Sequence, residues 1–137
     1  MTETHKVWEG GRTQNRLGSP VIKDGYIFLP TMPGMAECIE LKTGKKVWEE
    51  RIRGTGAKND TWTSMVLAGE NIYVVNQSGN TIVLKASPKF EVVGINSIGN
   101  EMCNSSVAVS EGDIFIRTHE NLWCVSATTR TARTAGK

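Results

Sequence analysis

The residues with ligating or nucleophilic chemistry are few and widely separated. His5 and His119 are the only histidines, and neither has a second His or Cys at the close spacing that brings two ligands onto one metal ion. Cys38, Cys103 and Cys124 form no CxxC pair, and an odd number at wide spacing is not a disulfide framework. They are expected to be small buried apolar residues. Lys42-Thr43-Gly44 matches a Lys-Thr-Gly element of serine acyl-enzymes, but no Ser-x-x-Lys nucleophile accompanies it. Gly54-Thr55-Gly56-Ala57-Lys58-Asn59 is a partial glycine-rich loop. It lacks a third glycine and leads towards a strand, whereas a phosphate cradle needs the N-terminus of a helix. The Asn-x-Ser/Thr sequons at Asn59, Asn76 and Asn104 carry little weight without a secretory leader. No catalytic residue, cofactor site or metal site is assigned from these residues.

The elements that hold them are legible as a repeat. Ser19-Pro-Val-Ile-Lys-Asp-Gly-Tyr-Ile-Phe-Leu29 lies over Ser64-Met-Val-Leu-Ala-Gly-Glu-Asn-Ile-Tyr-Val74, and both lie over Ser106-Val-Ala-Val-Ser-Glu-Gly-Asp-Ile-Phe-Ile116 without a gap. In each copy a Ser opens a short apolar strand, a polar turn follows, and Ile-aromatic-aliphatic begins the next strand, which is the signature of a hairpin. A third apolar run comes after each hairpin: Ala36–Leu41, Thr81–Ala86 and Leu122–Ala127. The first copy continues through Lys42-Thr43-Gly44-Lys45 into Lys46-Val47-Trp48-Glu49, a fourth strand expected to point Val47 and Trp48 inward. Lys6-Val7-Trp8-Glu9 repeats that ending 40 positions earlier. In the second copy the fourth strand is expected over Phe90–Ile95, with Val93 in the place of Trp48.

A repeat period of about 40 to 45 residues marks propeller blades. The expected fold is all-β: blades of four antiparallel strands, about three per chain. One outer strand lies near residues 5–10, then blades over 17–53 and 62–97 and a partial blade over 104–127, twelve strands in all. Residues 128–137 are small, polar and aperiodic, and are expected to be a disordered tail.

The combination of Ser-Pro-Val-x-x-Asp-Gly-x-Ile-Phe with Ile-Glu-Leu-Lys-Thr-Gly-Lys-Lys-Val-Trp resembles the PQQ-like propeller repeat with its tryptophan-docking motif, over roughly residues 6–127. Quinoprotein alcohol dehydrogenases and BamB-type outer-membrane assembly lipoproteins share this repeat. The resemblance implies that Trp8 and Trp48 lie between adjacent blades, each indole against a neighbouring turn such as Thr43-Gly44. A large apolar ring with one N–H also suits a buried seam on general grounds. It implies a periplasmic or exported setting as well. The adjacent Cys-Cys pair and the cofactor pocket of the dehydrogenases are not recognisable here, so PQQ and calcium belong only to an alternative reading.

Charge and length bound what remains. Sixteen Lys and Arg against fourteen Asp and Glu, scattered along 137 residues, make no case for nucleic acid. No window approaches a membrane span, and the opening residues lack the apolar stretch of a secretory signal, so a soluble chain is expected. The favoured function is a non-catalytic binding or scaffold module, with a protein or another copy of itself as partner. Candidate rim contacts are Arg53, Lys58, Asn59 and Trp62 in one interblade loop, and Asn100, Glu101 and Asn104 in the next. The alternative is part of a PQQ-dependent dehydrogenase or other propeller enzyme whose catalytic residues lie elsewhere. Three blades are too few for a ring. A homodimer of six blades, each N-terminal strand closing the partner's last blade, is the expected solution, and a longer propeller is its rival.

Overall fold

Residues 5–10 and 17–127 are described by a computed structural model of the chain. The tail expected at 128–137 lies outside them. Eleven strands form three separate antiparallel sheets. The first holds β1 (Val21–Lys23), β2 (Tyr26–Thr31), β3 (Met35–Glu40) and β4 (Lys46–Arg51) in that order. The second holds β5 (Val66–Ala68), β6 (Asn71–Val75), β7 (Asn80–Lys85) and β8 (Val92–Ser97). The third has three strands, β9 (Ala108–Ser110), β10 (Asp113–Arg117) and β11 (Leu122–Ser126). Among the described residues there is no helix, and so none long and apolar enough to cross a membrane.

Equivalent residues of the repeat occupy equivalent register positions. Phe28 pairs with Cys38, Tyr73 with Val83, and Phe115 with Cys124. Apolar side chains from facing sheets interlock into two cores. Phe28, Ala36, Cys38, Ile72, Val74, Ile82 and Leu84 are buried between the first and second sheets. A smaller cluster, Val75, Cys103, Val107 and Ile116, joins the second to the third. Removing such apolar area from water is what holds sheets together that share no ladder hydrogen bonds.

Several sequence expectations are corrected. Residues 5–10 form no strand with a described segment, so the described residues hold eleven strands where twelve are expected. β8 begins at Val92, two residues later than expected, because Phe90 is drawn out of the ladder to pack edge-on against Trp48 at 5.1 Å between ring centroids. Val47 does not point inward. The register shifts between Cys38 and Ile39, leaving Val47 as the extra residue of a bulge and turning it to solvent. The same shift between Val83 and Leu84 makes Val93 the bulge residue of β8, so Gly94 stands where Trp48 stands in β4. Cys124 is exposed, unlike Cys38 and Cys103, because no described strand lies on the outer edge of β11.

Candidate functional site: the rim of interblade connections

Two long connections, between β4 and β5 and between β8 and β9, cross the same end of the sheets. Each is laid over the hairpin turn of a neighbouring blade. The carbonyl oxygen of Asn59 approaches to 2.6 Å of where a Cβ on Gly34 would be, and that of Glu101 to 2.5 Å for Gly79. Both glycines also have positive φ, 59° and 73°, so a side chain at either meets a hard backbone atom as well as an unfavourable conformation. The next residue of each connection bonds the turn of the following blade: Gln77 N donates to Asp60 O at 2.9 Å, and His119 N to Met102 O at 2.9 Å.

Asparagines knit the first connection. Asn59 Oδ1 accepts from Gly54 N at 2.8 Å, while its amide nitrogen donates to Gly56 O at 3.0 Å. Asn80 Oδ1 accepts from Gly56 N at 3.0 Å, and Asn76 Oδ1 accepts from Asn80 N at 2.9 Å. Asn76 and Asn80 are wholly buried, where an amide is tolerated only when its hydrogen-bonding groups are engaged. In the second connection Glu101 does the same work with a carboxylate. It accepts from Thr118 Oγ1, from Trp123 Nε1 at 3.1 Å and from Asn121 Nδ2 at 2.9 Å. These donors, that of Thr118 foremost, hold the Glu101 carboxyl below the usual carboxylate range.

The sequence-predicted rim residues therefore divide. Asn59 and Glu101 are committed to holding their own loops. Arg53, Lys58, Trp62, Asn100 and Asn104 are exposed, with Asn104 linked to Gln77 and His119 at 3.4 Å each. Cys103 Sγ donates to Arg117 O at 3.3 Å.

At the seams between sheets, Trp8 Nε1 donates to Leu41 O at 2.8 Å and its ring lies where a Cβ on Gly44 would be. Thr43 Oγ1 bonds Glu40 and accepts from Lys45 N, shaping that turn. Trp48 Nε1 donates to Ser87 O at 3.3 Å, and the indole sits between Phe28 and Phe90. A further seam bond escaped the sequence reading. Ser19 N donates to Ser64 Oγ at 2.9 Å, and Ser64 N to Ser106 Oγ at 2.8 Å. These three serines are visible as a repeated position, but only the packing of sheets could reveal that the Ser64 and Ser106 hydroxyls each cap the preceding serine's N–H. Asn76 and Asn80 were missed for the same reason, since a buried amide network joins residues that the repeat does not align.

Among the described residues, no three His, Cys, Asp or Glu side chains are grouped so as to hold a metal ion.

No family profile matches the sequence, and no curated protein matches it. Solved structures do resemble the fold. BamB from Moraxella catarrhalis superposes with a TM-score of 0.62 at 14% identity, covering 82% of this chain and 34% of that one. The quinohemoprotein alcohol dehydrogenase from Comamonas testosteroni gives 0.61 at 19% identity over 76% of this chain and 17% of that one. A europium-containing methanol dehydrogenase gives 0.60 at 13%, covering 77% and 20%. The three sheets are thus blades of a β-propeller-type fold, and the chain spans about a third or less of each of these proteins.

Proposed function

We propose that this propeller-type chain is a non-catalytic binding module of the PQQ-like repeat class, engaging a protein partner through the rim of its interblade connections. The observation that carries this is the construction of the rim. Its backbone is locked by Asn59, Asn76, Asn80 and Glu101, while Arg53, Lys58, Trp62, Asn100 and Asn104 face outward. A rigid platform with polar and aromatic side chains lowers the entropy lost on binding. Trp8 and Trp48 serve as blade-docking residues, with the Thr43-Gly44 turn receiving Trp8. The test compares proteins crosslinked to the native chain with those crosslinked to a Trp62→Ala/Asn100→Ala/Asn104→Ala variant. Loss of one specific partner supports the reading. A saturable absorbance on titration with PQQ and calcium would sink it in favour of an enzyme fragment.

We further propose that a second copy completes the ring, its N-terminal segment pairing with β11. Supporting this, Trp8 docks like Trp48 although its segment joins no ladder among the described residues, and Leu122 and Val125 of β11 are 71% and 45% exposed. Open edges of this kind invite strand addition. Light scattering should give twice the 15.0 kDa of one chain, and a compact single chain would exclude the closure.

A further inference from the structure

The rim carries three hollows in a row. The first, about 550 Å³, is lined by Arg51, Arg53, Lys58 and Asp60 among others. The second, about 490 Å³, shares Ala57, Lys58 and Gln77 with the first and extends to Asn100. The third, about 470 Å³, is walled by Asn104, Arg117 and His119, and adjoins the second through the Gln77–Asn104 bond.

Charge along this row is lopsided. Arg51, Arg53, Lys58 and Arg117 line it, against the single carboxylate of Asp60. None of the four cations is in an ion pair with a described residue. Outside the row, Lys6 pairs with Glu9, Lys23 with Glu70, and Lys46 with Glu37 and Glu49. Glu101, in the connection beside the second and third hollows, is turned to Thr118, Asn121 and Trp123.

From this juxtaposition of unpaired cations with a row of amide-lined hollows we infer that the rim binds an extended acidic peptide segment of its partner. A single small anion would occupy one hollow and leave cations at the other end unanswered, whereas a chain of carboxylates reaches all three. Side-chain amides of Gln77, Asn100 and Asn104 offer donors and acceptors to a peptide backbone. No Phe, Tyr or Trp lines the row, whose one ring is the His119 imidazole of the third hollow, so it lacks the succession of aromatic platforms on which single-stranded bases stack. This inference rests on the binding-module reading above and specifies its ligand.

The experiment measures fluorescence anisotropy of labelled twelve-residue peptides, alternating Glu-Ser, Gln-Ser and Lys-Ser, and of an oligothymidylate, against the full chain. The Glu-Ser peptide should bind and weaken about tenfold between 50 and 300 mM salt, because rim charges are screened within a Debye length. Arg53→Glu/Lys58→Glu should lower its affinity at least about twentyfold, at roughly fivefold per substitution. The same charge change at the opposite end of the sheet, Lys42→Glu/Lys45→Glu, should leave it within about twofold, as distant exposed charges are screened. Equal affinity for the Gln-Ser peptide, lost in the rim variant, would overturn acidic selectivity while leaving a peptide-binding rim intact. Preference for the oligothymidylate, equal loss in both variants, or no binding of the Glu-Ser peptide would overturn the inference itself. The crosslinking comparison decides the broader reading independently.

Discussion

The first and third blades place the same residue types at the same register positions and give them opposite surroundings. Cys38 on β3 pairs with Phe28 and is fully buried, while Cys124 on β11 pairs with Phe115 and is exposed. Phe28 is sealed between Trp48 and the second sheet, whereas Phe115 is only half-buried. The difference comes from what covers them. The first blade has its own fourth strand on one edge and the second blade across its face. The third has neither on its outer side among the described residues. A blade of this repeat is therefore not a self-sufficient unit. Its apolar positions become a core only when a neighbour and a fourth strand cover them, as is general for stacked repeats.

The sharpest way to break that comparison is thiol chemistry. Burial pushes the Cys38 thiol up to about 11, and the thiolate is the reactive form. Alkylation followed by peptide mass spectrometry should find Cys124 modified about a thousandfold faster than Cys38, whose reaction must await local opening. Comparable rates would mean that the first blade is open too. If a second copy covers β11, Cys124 should become protected as protein concentration rises.

Next in size are the paired aromatics. Phe28→Ala should cost about 4 kcal/mol in chemical denaturation, since it empties a fully enclosed site. Phe115→Ala, at the half-buried equivalent, should cost about 1 to 2 kcal/mol, with less area lost. Equal costs would show the third blade to be enclosed in solution.

The serine ladder offers a smaller probe, because it treats both seams alike. Ser64→Ala and Ser106→Ala each remove one acceptor of a neighbouring backbone N–H, and each should cost about 1 kcal/mol or less. A markedly larger loss for Ser64→Ala would mean that the seam holding Trp48 depends on the ladder and not on the indole.

The smallest effect concerns pH. The Glu101 pKa is lowered in the fold, so its contribution is fully present above the ordinary carboxylate value of about 4 and is lost as pH falls through the folded value. Amide protection factors in the third blade, with the intrinsic exchange rate divided out at each pH, should therefore fall on acidification below about pH 4, before those of the first do. Glu101→Gln should abolish that acid step.

Much of this architecture was legible before any coordinates. Three alignable copies of Ser, apolar pair, polar turn and Ile-aromatic-aliphatic mark the hairpins, because a strand needs only alternation and a turn needs only local residues such as Asp24-Gly25 or Glu111-Gly112. The candidate rim was legible in part. Arg53 and Lys58 stand out as exposed loop cations, but nothing local distinguishes them from Asn59 and Glu101, which are consumed in holding the loops. Val93 was misplaced relative to Trp48 for a related reason. A bulge adds one residue without any composition signal, and it shifts which side chain faces the seam.

Amino-acid order dictates the local units: where the hairpin strands lie, which residues pair into hairpins, and that the units repeat. Tertiary structure alone decided which of those apolar positions are core, which serines and asparagines bond across seams, and that Arg51, Arg53, Lys58 and Arg117 line one row of hollows. Strand formation follows from interactions a few residues apart. Burial and charge clustering arise from residues about one repeat apart in sequence, and these meet only when blade packs on blade.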